Sequence, residues 1–235
     1  MLRAVTKNPS RLDIAKRDII RFFDASPRRV YRRSDLASIL TAKRPEWRLA
    51  QRTTTDAFID FLRAKTELRL VELKSKRFPN ILRYTWGEVS PYELVLSLRP
   101  GAYLSHGTAV FLHGLTHQIP RTIYVNHEQG PKPRPTSLTQ ESIDRAFSGT
   151  QRRSTYIFTY DDWQCILLSG KRTGRLEIVT IEGPAGELLE ITSLERTLID
   201  IIVRPVYAGG VYQVLEAYKS ARDRVSVNTL IATLK

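Results

Sequence analysis

Four residues in the first third of the chain have the types and spacing to read base edges in duplex DNA. Arg48, Gln51, Arg52 and Thr55 recur at helical intervals, and Ile59 continues the stripe. Arg pairs bidentately with guanine, Gln with adenine, and Thr packs against a thymine methyl or bonds a phosphate. Asp56, on the same outer side, would accept from a cytosine amino group or repel phosphate. A second set has the chemistry of backbone contacts. Arg32 and Arg33 lie in one cluster, and Lys74, Lys76 and Arg77 in another. Such cations hold register on DNA without reading its sequence.

Three helices and a hairpin must position these side chains. Leu12, Ala15, Ile19, Phe22 and Phe23 recur at helical spacing, and Ser26-Pro27 stops that helix. Ser34 reads as the N-cap of a second helix, with Asp35 in its first turn and Leu36, Ile39 and Leu40 on its buried face. The pattern predicts a third helix from about Arg48 to Arg63, buried through Ala50, Thr54, Ala57, Phe58, Phe61 and Leu62. Leu68–Lys74 and Ile81–Trp86 read as two strands around a turn that carries Lys74, Lys76 and Arg77. Helix, helix, helix, hairpin is the order of a winged helix-turn-helix, whose basic wing tip reaches flanking phosphates or the minor groove.

The charge distribution supports that order. The net charge of the 235 residues is +13. Residues 1–88 hold 21 Lys and Arg against 10 Asp and Glu, and the remaining residues hold 16 against 14. The excess is therefore confined to the first part, as expected for a polyanion-binding module joined to a module with another task. Arg outnumbers Lys, and guanidinium groups suit phosphate and guanine edges. Aromatic residues that could stack single-stranded bases are not concentrated on the basic face, which favours duplex DNA over RNA.

Beyond Gly87 the chain reads as a mixed α/β domain, residues 89–235, following a winged helix-turn-helix domain of residues 1–88; the fold class is α+β. Ser90 and Glu93 have capping-box spacing around Pro91, and Thr192 and Glu195 repeat it before Leu194, Leu198, Ile201 and Ile202. Ser105 reads as the cap of a helix stopped by Gly114. Strands are expected at Arg121–Val125, Tyr156–Tyr160, Cys165–Leu168 and Leu176–Ile181, a short helix at Ser142–Phe147, and another after Gly209-Gly210. Gly130 to Pro135 reads as a stiff polyproline loop in which Lys132 and Arg134 are surface charges. No apolar run reaches membrane-spanning length and no secretory h-region follows the N-terminus, so no membrane association and a cytoplasmic location are expected.

Catalytic readings are weak. His113 and His117 have the spacing of two zinc ligands on a helix, but Gly114 interrupts it and no HExxH pattern is present. Asp161-Asp162 and Glu177 suggest a metal-dependent nuclease, the main alternative function, yet the Lys that usually completes such a set is missing after Glu177. Cys165 sits in an apolar run and reads as an inert buried thiol. The expectation is a non-enzyme with no cofactor and no metal.

Two C-terminal segments carry a resemblance. Leu104-Ser-His-Gly-Thr-Ala-Val-Phe-Leu-His-Gly-Leu-Thr-His-Gln-Ile-Pro-Arg-Thr-Ile-Tyr-Val125 resembles the signature of the AbiEi antitoxin family. So does Ile191-Thr-Ser-Leu-Glu-Arg-Thr-Leu-Ile-Asp200 with Tyr207-Ala-Gly-Gly210. The resemblance implies a transcriptional autorepressor of a type IV toxin–antitoxin operon. Its winged helix would bind inverted repeats in its own promoter, and its C-terminal domain would counteract a nucleotidyltransferase toxin. It supplies no catalytic residue.

Overall fold

The computed structural model describes residues 10–131, 139–149 and 153–234. The expected loop around Lys132 and Arg134 lies outside them. The fold is mixed α+β, and the chain divides into two compact units: residues 1–72 with 81–89, and residues 73–80 with 90–235.

In the first unit, α1 (Arg11–Asp24) starts at Ser10, whose hydroxyl accepts from the Asp13 N–H while the Asp13 carboxylate accepts from the Ser10 N–H. A two-residue strand, β1 (Val30–Tyr31), leads into α2 (Arg33–Lys43). Ser34 is inside α2 rather than capping it; the Asp35 carboxylate does the capping by accepting from the Arg32 N–H at 2.7 Å. Then come α3 (Thr55–Lys65), β2 (Leu68–Leu73) and β3 (Ile81–Trp86), with strand order β1-β3-β2. β1 runs antiparallel to β3, pairing Val30 with Thr85 and Tyr31 with Tyr84.

The three helices and the small sheet close over one aromatic core. Ile19 and Phe23 of α1, Leu36 and Leu40 of α2, and Phe58 and Leu62 of α3 are buried with Trp86. Phe23 stacks on Trp86 at 4.6 Å, and the indole N–H donates to Asp24 at 2.7 Å, so the ring is buried without an orphaned donor. Burying one such Phe contributes roughly 2 kcal/mol by area.

The second unit is built on a six-stranded mixed sheet. Its elements are α4 (Pro91–Leu96), β4 (Tyr103–Leu104), α5 (His106–Leu112), β5 (Thr122–Glu128), α6 (Gln140–Ser148), β6 (Ile157–Tyr160), β7 (Trp163–Gly170), β8 (Ile178–Glu182), β9 (Leu188–Thr192), α7 (Leu194–Val203), α8 (Val211–Ala221) and α9 (Val227–Leu234). The strand order is β6-β7-β5-β4-β9-β8. β4–β9 and β5–β7 are parallel, and the other neighbours antiparallel. The central strands bury Tyr103, Leu104, Ile123, Val125, Leu189 and Ile191, while Val110, Leu198, Ile201, Val214 and Ala217 join α5, α7 and α8. Among the described residues, no helix is long and apolar enough to cross a membrane.

Two of three capping expectations shift in this unit. Ser90 accepts from the Glu93 N–H as the spacing suggests. At α7 the cap is Ser193, which accepts from the Arg196 N–H, and Glu195 instead accepts from the Ser226 N–H. The Ser105 hydroxyl makes no cap bond; it shares a 2.9 Å hydrogen bond with His106 Nδ1.

Candidate nucleic-acid interface

The third helix begins seven residues later than its apolar stripe suggests. Thr54 is the N-cap, its hydroxyl accepting from the Ala57 N–H at 3.1 Å. Arg48 has φ 50°, a left-handed conformation that cannot continue a right-handed helix. Arg48, Gln51 and Arg52 are consequently exposed in the turns before α3, and only Thr55 belongs to the helix itself. Ile59, expected on the outer stripe, is buried in the core at 3% exposure. The helix starts where it does because Thr54 offers a cap and Asp56 complements the positive helix end.

The segment before α3 is held by a residue that sequence reasoning passed over. Arg44 donates from one guanidinium nitrogen to the carbonyls of Ala50 (2.5 Å) and Gln51 (3.1 Å), and from the other to Thr53 (3.0 Å). Trp47 pins the other end, 4% exposed and edge-on to Phe22 at 5.6 Å. A cation at a helix C-terminus reads simply as a dipole complement, so nothing in the sequence marked Arg44 as a staple. Arg48 and Arg52 themselves form no ion pair among the described residues. Their charge is available to solvent.

The expected backbone contacts divide. Arg33 is exposed, but Nε and Nη2 both donate to Asp56 Oδ1, at 3.2 and 2.8 Å, tying the first turn of α2 to that of α3. The hydrogen bond to Asp56 raises the Arg33 pKa further. Arg32 precedes α2 and is half-buried. Lys74, Lys76 and Arg77 are exposed in the turn between β2 and β3, residues that cluster with the second unit. There the Lys74 N–H donates to the Thr159 carbonyl at 2.9 Å and the Thr159 N–H returns to Lys74 at 2.8 Å. Phe78 stacks on Tyr156 at 4.2 Å. This turn is fastened to β6 and is not a free tip.

The catalytic alternatives lose their geometry. Asp161 and Asp162 form the turn between β6 and β7, whereas Glu177 precedes β8 at the opposite sheet edge. Four strand spacings separate β7 from β8, about 19 Å, too far for one metal ion. Among the described residues no group of three or more His, Cys, Asp or Glu is placed to share a metal. His113 spends Nε2 on the Thr192 carbonyl at 2.7 Å, and His117 is exposed beyond Gly114. Burial lowers the His113 pKa against that bond, and pushes the Cys165 thiol up to about 12.

The segments that carry the family resemblance, and the residues beside them, place several polar groups wholly or partly in the interior. His106 has φ 51°, is 8% exposed, and stands edge-on to Tyr207 at 5.4 Å. Burial, then the charges of Arg204 and Arg196, lower its pKa to about 3, so the ring is neutral. Gly107 leaves room for the chain to pass: a Cβ there would meet the Tyr207 carbonyl at 2.8 Å. Arg196 Nε donates to Asp200 at 3.0 Å; burial raises the Asp200 pKa while Arg196 opposes it. Burial also raises Glu128, but hydrogen bonds from the Thr173 hydroxyl and the N–H groups of Arg175, Thr173 and Gly174 outweigh it and hold the carboxyl below its ordinary range. No family model matches the chain, and no curated protein matches it.

Proposed function

We propose that the protein is a DNA-binding transcriptional autorepressor that also serves as the antitoxin of a type IV toxin–antitoxin operon. Its first unit acts as a winged helix-turn-helix on promoter inverted repeats, and its second unit counteracts a nucleotidyltransferase toxin. The observation that carries the DNA reading is the pair Arg48 and Arg52, exposed and without an ion pair among the described residues, beside Gln51 on a segment stapled by Arg44 immediately before the N-terminus of α3. Arg and Gln at that end of a third helix have the donors to meet base edges, and a stapled segment lowers the ordering cost of doing so. The positive end of α3 adds attraction for a phosphate. The antitoxin reading rests on the resemblance of Leu104–Val125 and Ile191–Asp200.

Footprinting on the protein's own promoter tests the first part, with a nuclease assay in Mg²⁺ beside it. Protection of an inverted repeat, weakening steeply with salt, is expected. Uniform protection of unrelated DNA, or cleavage, would overturn it. Identifying the neighbouring gene and co-expressing its product tests the second part: a nucleotidyltransferase whose growth arrest this protein relieves is the expected result, and a neighbour of another kind, or no relief, would overturn it.

A further inference from the structure

The turn between β2 and β3 lines a pocket of about 520 Å³ with residues of β6, β7 and the segment leading into β6. Lys74, Ser75, Lys76 and Arg77 form one wall, and Thr155, Ile157, Thr159 and Gln164 the other. The lining contains three cations and no acid, and none of the three forms an ion pair among the described residues. Three like charges within four residues repel one another, and an anion between them removes that repulsion. We propose that this pocket is a phosphate-binding site, filled either by a phosphodiester of duplex DNA or by the phosphates of a free nucleotide.

The turn is built to present those charges in one arrangement. The Ser75 hydroxyl accepts from the N–H groups of Arg77 (3.4 Å) and Phe78 (3.3 Å), and Asn80 Oδ1 accepts from the Ser75 N–H at 3.1 Å. The paired backbones of Lys74 and Thr159 and the Phe78–Tyr156 stack fasten both ends to the sheet. Side chains carried on a fixed turn lose less freedom when they grip a ligand. Gln164 and Thr155 add uncharged donors of the kind that bond phosphate oxygens, whereas the Thr159 hydroxyl is engaged with the Lys74 carbonyl at 3.4 Å. The volume exceeds that of a lone anion and falls within the range of small-ligand pockets.

The DNA source rests on the DNA-binding reading, and the nucleotide source does not. The full chain is titrated with a random-sequence duplex over a range of salt, and separately with ATP and pyrophosphate. The variants are K76Q/R77Q, Q164L, and R145Q/R222Q, which removes the same charge from exposed positions outside the pocket. If DNA fills the site, K76Q/R77Q weakens duplex binding about tenfold or more and flattens the salt slope by about two phosphate contacts. R145Q/R222Q then does far less, and Q164L weakens binding without changing the slope. If a nucleotide fills it, ATP or pyrophosphate binds saturably, K76Q/R77Q abolishes this, and duplex binding is unaffected. The proposal is overturned if neither small probe binds saturably and K76Q/R77Q affects the duplex no more than R145Q/R222Q. A chain that ignores duplex DNA altogether refutes the DNA-binding reading, leaving the ATP and pyrophosphate titrations to decide the pocket.

Discussion

The two units differ in where some of their charged and polar groups are placed. In the first, Arg48 and Arg52 are exposed and form no ion pair among the described residues, and the core cluster is aromatic and aliphatic. In the second, Arg175 bonds the Gly101 carbonyl and Glu190, Arg196 bonds Asp200, and His106, Thr192, Thr197 and Asn126 are buried. A unit that keeps its cations in water retains their field for a polyanion, while one that turns its polar groups inward gains specificity of internal packing. The turn of residues 73–80 gathers three of the second unit's exposed cations within four residues.

The largest expected effect tests the inward polarity of the second unit. His106 has a folded pKa of about 3, below its ordinary value of 6.5. The unfolded chain therefore takes up a proton that the folded one refuses, and stability falls as pH drops from 6.5 toward 3. The slope approaches about 1.4 kcal/mol per pH unit inside that window. Urea midpoints measured against pH should show this limb, and H106N, which tolerates the left-handed backbone, should flatten it. An unchanged limb in H106N would assign acid sensitivity to the carboxylates instead.

Next in size is the outward charge of the first unit. Arg52→Ala should cost about 1–3 kcal/mol on operator DNA and less on random DNA, measured by fluorescence anisotropy at fixed salt. Equal losses on both would make Arg52 a phosphate contact. Arg196→Gln should leave folding intact but lower stability by about 2 kcal/mol at neutral pH, because the half-buried Asp200 loses its donor. The Asp200 pKa already lies above its ordinary value, so its ionisation opposes folding as pH rises through it. The deficit should therefore shrink toward pH 4 in chemical denaturation. A deficit independent of pH would mean that Arg196 acts through packing alone.

The smallest effect concerns Asp56. Replacing it by Asn releases Arg33 and removes a negative charge from the first turn of α3. DNA affinity should rise about two- to threefold at low salt, since the pair is exposed and screened. Weaker binding would show Asp56 to accept from a cytosine, as its side chain allows.

Much of the first unit was legible from residues alone, because local rules decided it. The spacing of Ala15, Ile19 and Phe23, and the stop at Ser26-Pro27, place α1 within a residue of its observed end. The start of α3 was not legible: the periodic stripe runs unbroken through Ala50 and Thr54, while the left-handed turn at Arg48 depends on Arg44 reaching three carbonyls. β1 was missed because two residues carry no period, and it exists through pairing with β3. β9 was missed because its place in the sheet depends on the parallel pairing with β4, which comes from distant sequence.

What the sequence by itself determined is the excess of cations in residues 1–88, the mixed α+β class and the helical core of the first unit. These follow from composition and from contacts between near neighbours. Only the tertiary structure decided that Arg48, Gln51 and Arg52 stand on a stapled turn, and that the basic turn at 74–77 is fastened to β6. Both depend on hydrogen bonds whose partners the chain brings together only by folding. Arg44 reaches three carbonyls six to nine residues away, and Lys74 meets Thr159 across 85 residues.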